Sequence, residues 1–148
     1  MLITKESILL QCPFKDKHEI IRSMAEHALQ IDRITEVNPF VQAVLHRESE
    51  FSTGVGYGIA IPHGKSHVVK EAFVLFCRVE HVDWSSLDGT DVDMIFMIGV
   101  PEVDSGNDHL KILALLSRKL MKDEFRQMLR SAQDENEIME VFAKWEII

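Results

Sequence analysis

Two short runs constrain this chain more than anything else in it. Phe73-Val-Leu-Phe-Cys-Arg-Val79 and Val92-Asp-Met-Ile-Phe-Met-Ile-Gly-Val100 are apolar almost without interruption. Successive strand residues point to opposite faces, so strands apolar at consecutive positions must be covered on both sides. The rest of the sequence offers helices to cover them. From Lys17 to Leu29, Ile20, Ile21, Met24, Ala25 and Ala28 recur at helical spacing. A second helix is expected from Asn38-Pro39 to about Ser49, with Asn38 as N-cap and Pro39 at the first helical position. Between Asn107 and Met121, Leu110, Leu113, Leu116 and Leu120 form an apolar stripe, and Lys111, Arg118 and Lys122 share another face. Asp123–Ala132 and Glu135–Trp145 read as two more helices, and Trp84–Gly89 carries turn chemistry. The clusters Leu2-Ile3 and Ile8-Leu9-Leu10 suggest an initial extended segment. Helices at both ends around central buried strands predict an α/β sandwich.

No repeat, low-complexity tract or Gly/Ser linker divides the 148 residues, so one domain over residues 1–148 is expected. With 24 acidic against 16 basic residues the formal charge is −8, which opposes binding to a nucleic-acid backbone. A protein partner with a basic face suits this balance better. No apolar run approaches bilayer-spanning length, and Met1-Leu-Ile-Thr-Lys-Glu lacks the layout of a secretory signal. With only Cys12 and Cys77, no disulfide framework is expected, and the cytoplasm is the expected location.

The least ordinary stretch is Gly54-Val-Gly-Tyr-Gly-Ile-Ala-Ile-Pro-His-Gly64. A dinucleotide-binding fingerprint would need glycine where Ile59 or Ile61 stands, and a P-loop ending at Gly64-Lys65-Ser66 would need it at 59 too. Nucleotide binding is therefore disfavoured. What remains is a histidine in a stiff setting. Pro62 fixes its own φ and pushes Ile61 toward extended geometry, while Gly64 allows a sharp exit and leaves room beside the ring. Such a chain displays the His63 imidazole at a strand end. Its ordinary pKa of about 6.5 leaves a large neutral fraction that can attack phosphorus. The plainer alternative is a turn histidine bonded to backbone.

Two further residues gain interest from placement. Arg47 falls in the last turn of the second helix, near its apolar face. Either it complements the helix C-terminus or its forked donors clamp an anion. His109 stands near the start of the Asn107–Met121 helix on the same stripe as Ile112, Leu113 and Leu116, so it should face inward. It is either a satisfied interior residue or a neutral imidazole donating to a phosphoryl oxygen at a helix N-terminus.

Arg47-Glu48, Ser52-Thr53-Gly54 and Gly58-Ile-Ala-Ile-Pro-His63-Gly64 together resemble the active-site signature of the fructose/mannitol-type IIA domain of the phosphoenolpyruvate-dependent sugar phosphotransferase system. Leu87-Asp-Gly, Gly99-Val-Pro101 and Asn107-Asp-His-Leu-Lys-Ile-Leu113 extend the likeness over nearly the whole chain. The resemblance implies a three-layer α/β sandwich around a mixed sheet flanked by helices. It implies that phospho-HPr phosphorylates His63, which then donates to a cysteine of a sugar-specific IIB domain, itself associated with a membrane IIC permease. It further implies that Arg47 and His109 stabilise the phosphoryl group. No cofactor or metal is expected, because no nucleotide diphosphate leaves and needs neutralising.

Two rivals stand beside this reading. Nitrogen-type IIA proteins of the same family use the same histidine phosphorylation to regulate other proteins. His63 and His67, four apart, would suit zinc if they lay on one helix, although Gly64 occupies the place of the glutamate in a His-Glu-x-x-His site.

Overall fold

The computed structural model describes residues 2–103 and 108–148, except for the side chains of Asp108 and His109. The two apolar runs become β5 (Phe73–Val82) and β6 (Val92–Pro101), paired antiparallel with Phe76 opposite Phe96. Both of their faces are buried. Phe73, Leu75, Cys77, Ile95 and Met97 turn to one core, shared with α1 (Lys17–Gln30) and α2 (Val37–Glu50). Val74, Phe76, Met94, Phe96 and Ile98 turn to the other, shared with α3 (Asp108–Leu120), α4 (Asp123–Ser131) and α5 (Glu135–Lys144). Phe76, Phe96 and Phe142 lock this second core, their ring centroids 5.0 to 6.3 Å apart.

The remaining strands are short: β1 (Ile8–Leu9), β2 (Gly54–Gly56), β3 (Ile59–Ala60) and β4 (His63–Ser66). The sheet runs in the order β1-β5-β6-β3-β2, with β4 also beside β6. β1 is parallel to β5, β3 and β4 are parallel to β6, and β2 is antiparallel to β3. A mixed sheet between two helical layers is the expected three-layer sandwich.

Three local expectations need correction. Asn38 is not the N-cap of α2; Glu36 holds that position, and the Asn38 side chain accepts instead from Arg22 Nη1 at 3.0 Å. Pro39 then lies third in the helix, still within the first turn, where a missing N–H costs no intrahelical bond. Leu110 is 55% exposed, outside the stripe it was expected to join. Steps of three residues fall about 60° short of a full turn, so Leu116 and Leu120 reach the core while Leu110 has rotated away from it. In the β5–β6 connection, ahead of the turn at Leu87–Asp88, Trp84 is fully buried.

A carboxylate explains the tryptophan. Glu48, near the end of α2, is buried and accepts from Trp84 Nε1 at 3.2 Å, from Thr53 N at 3.2 Å and from the Thr53 hydroxyl. Lys17 Nζ completes the set at 2.8 Å and lies 5.4 Å from the Trp84 ring centroid. One side chain thus joins α1, the end of α2, the approach to β2 and the β5–β6 connection. Its removal leaves several buried donors unmet. Glu48→Ala should lower the unfolding free energy by about 3 kcal/mol, read from urea denaturation.

Candidate functional site

β3 and β4 are one strand interrupted. β3 pairs with β6 through Ile59–Met94 and Ala60–Ile95, and β4 resumes the pairing at His63–Ile98. Ile61 and Pro62 form the break. Proline has no N–H for a ladder, so the contact there is made by its carbonyl, which accepts from Ile98 N at 3.0 Å. Ile61 N donates to Thr53 O at 3.0 Å, tying the break to the chain leading into β2.

The break leaves the Ile61 carbonyl for the histidine. His63 Nδ1 lies 2.9 Å from Ile61 O. A carbonyl only accepts, so Nδ1 carries the proton and the neutral ring has its lone pair on Nε2. The half-buried imidazole lines a cleft of about 390 Å³ together with Ala43, His46, Arg47, Lys65, Ile98 and Leu113 among others. The cleft therefore combines α2, β4, β6 and α3.

Close backbone approach brings α2 there. A methyl group on Gly64 would sit 3.0 Å from Val44 Cγ2 and 3.1 Å from Val44 N. The room that the sequence left beside the ring is filled on this side by helix α2. With Ala43 against the strand, Arg47 follows one turn later and reaches the cleft. Its Nη1 donates to Phe51 O at 2.9 Å, so one arm of the guanidinium completes the helix end. Arg47 thus completes the helix end and lines the cleft as well, and the donor bonded to Phe51 fixes where the others point.

His109 is the second residue of α3, and its side chain lies outside the described residues. The structure therefore brings Arg47 and His63 together and gives His109 a helix position only. Sequence reasoning missed His46 and Lys65. Lys65 was legible by strand alternation, since it stands two residues from His63, whereas His46 carried no signal beyond adjacency to Arg47. The zinc alternative loses its premise. His63 opens a strand and His67 follows its end, so four extended residues put their Cα atoms about 13 Å apart. His67 Nδ1 lies instead 4.0 Å from Glu102 Oε2.

A model of the "Phosphoenolpyruvate-dependent sugar phosphotransferase system, EIIA 2" family matches residues 1–145. The chain belongs to this family. A fructose-like EIIA component of Escherichia coli is 39% identical over 129 residues, covering 86% of each chain. A nitrogen regulatory protein of Bradyrhizobium diazoefficiens is 36% identical over 143 residues, covering 96% of this chain and 92% of that one. A fructose-specific EIIABC component of Bacillus subtilis is 37% identical over 141 residues, and there the match spans 95% of this chain but only 22% of the relative's length. Among solved structures, the nitrogen regulatory protein IIA-Ntr of Neisseria meningitidis superposes with a TM-score of 0.85 at 27% identity, covering 95% of both chains. EIIA membership fixes the phosphoryl-transfer system, while both sugar and nitrogen branches lie within similar distance.

The EIIA site depends on the tight seat of α2. Gly64→Ala should force the helix off β4 and cost about 1–3 kcal/mol, measured as a lower urea midpoint.

Proposed function

We propose that this EIIA protein is a phosphocarrier that takes a phosphoryl group from phospho-HPr onto Nε2 of His63 and passes it to a cysteine of a sugar-specific IIB domain. The observation that carries the reading is the Nδ1 contact with Ile61 O, which assigns the nucleophilic lone pair to Nε2 in a cleft that Arg47 also lines. In the forward step the Nε2 lone pair attacks phosphorus, the Nε2–P bond forms, and the bond to the donor atom breaks with its electron pair. The ring gains positive charge, which the Ile61 carbonyl offsets at Nδ1. The transferred group spreads negative charge over three oxygens, and Arg47 supplies donors to them. His109, at the start of α3, is assigned a second donor role, beside a helix N-terminus that favours both anions and neutral imidazole. In the return step a thiolate attacks phosphorus and the pair goes back to Nε2. Through the IIB domain the protein serves an IIC permease from the cytoplasmic side.

The nitrogen-regulatory reading is favoured by the 36% identity to a nitrogen regulatory protein over nearly the full length of both chains and by the superposition on IIA-Ntr. The active-site stretches resemble both types. Sugar uptake is preferred because the fructose-type relatives, at 39% and 37% identity, stand slightly nearer than the nitrogen regulatory protein at 36%.

The test is phosphorylation by preformed phospho-HPr, followed by intact mass. One acid-labile phosphoryl group should appear in the wild type and none in His63→Ala. Arg47→Ala should slow transfer about a hundredfold. Excess EDTA, added after the donor is made, should leave the rate unchanged. Transfer from a nitrogen-type phosphocarrier but not from HPr would assign the regulatory branch, and transfer from neither would end the carrier reading.

A further inference from the structure

β4 contributes a second charged residue to the histidine's face of the strand. Along His63–Ser66, Gly64 and Ser66 are buried, while His63 is half-buried and Lys65 exposed. Alternation places His63 and Lys65 on one face, two residues or about 6.6 Å apart along the backbone. Both line the same cleft, with Arg47 and His46 facing them from α2. From β6 and α3 the cleft receives Ile98, Val100 and Leu113, so no carboxylate is among its described lining residues. Lys17, Arg33, Lys70, Arg126 and Arg130 each ion-pair with a carboxylate, whereas Lys65, like Arg47 across the cleft, pairs with none among the described residues. An ammonium with no ion pair among the described residues, beside a nucleophilic imidazole, is suited to an anion that arrives and leaves.

We propose that Lys65 is a further phosphoryl-contacting residue, whose ammonium approaches the oxygens of the group on His63 from the strand side, across the cleft from Arg47. The inference rests on the carrier reading above and adds a residue to it. Arg47 is anchored to Phe51 O and acts as a fixed fork, whereas Lys65 is a flexible point charge on a four-carbon stem. A flexible charge can follow phosphorus as it moves along the line between donor atom and Nε2. In this role Lys65 loads charge onto the transition state without gripping the phosphorylated ground state as a rigid fork would.

A lysine on the rim could instead act by docking the protein donor, and a small donor separates the two. Phosphoramidate transfers its phosphoryl group with loss of ammonia and has no docking surface. Wild type, Lys65→Ala and Lys65→Arg are each phosphorylated by phosphoramidate and by phospho-HPr, with rates followed by intact mass. Lys65→Ala is expected to be slower by about tenfold with both donors, Lys65→Arg to recover most of the loss, and thermal midpoints to coincide because the side chain is exposed. A loss confined to phospho-HPr would overturn the proposal and make Lys65 a docking residue. Equal rates for Lys65→Ala and wild type would overturn it while leaving His63 the carrier. Failure of the wild type with both donors would bring down the carrier reading and this inference together.

Discussion

The double burial of β6 is the constraint on which the rest of the structure depends. A strand apolar on successive residues needs a helical layer on each face and a strand on each side. β5 provides one side along nearly its full length. The other side is filled by β3 and β4, two pieces separated by Ile61-Pro62. The interruption is tolerable because Pro62 still gives its carbonyl to Ile98 N, so β6 loses little of its ladder. It also releases the Ile61 carbonyl from pairing and turns it to the imidazole. The histidine's tautomer is thus a by-product of how a proline is fitted beside an interior strand.

Bringing an arginine to that histidine needs a helix closer to the strand than side chains normally permit. Gly64 removes the obstacle, and the helix backbone at Val44 fills the space. Close packing alone would leave α2 able to slide along β4. The Glu48 carboxylate holds the helix at its C-terminal end by bonds to Thr53, Trp84 and Lys17. Consecutive residues therefore divide the work. Arg47 points to the cleft, and Glu48 points into the interior and fixes the register from which Arg47 projects. Such a buried polar hub specifies geometry more than it adds stability.

The sequence was most legible where burial imposes a period. The apolar runs announced β5 and β6, and the spacing in Lys17–Leu29 announced α1 to within a residue. Stiff local chemistry was also readable: Pro62 before His63 and Gly64 after it pointed to a constrained imidazole. Legibility failed where a long-range contact decides. Nothing near Trp84 in the chain says that its indole N–H meets a carboxylate 36 residues away. Asn38 looked like a cap because its side chain often is one, but Arg22 of α1 claims that oxygen. The Leu110 stripe failed for a different reason, since leucines spaced by three drift around a helix and only some of them can face one core.

Net charge gives the opposite answer to the local geometry, and the difference bears on what reaches the site. The chain carries −8 overall, yet the cleft is lined by Arg47, Lys65 and two imidazoles. At physiological ionic strength, exposed charges are screened beyond about 8 Å, so distant carboxylates do little to the field inside a half-buried cleft. They act on what approaches from outside. A free phosphate or nucleotide meets net repulsion until it is almost seated, whereas a protein donor with a basic face is drawn in. On the proposed carrier reading, an acidic chain with a small cationic cleft selects a phosphoryl group by its carrier rather than by its own charge. That is the selectivity the proposed relay would need where inorganic phosphate is abundant and the donor is another protein.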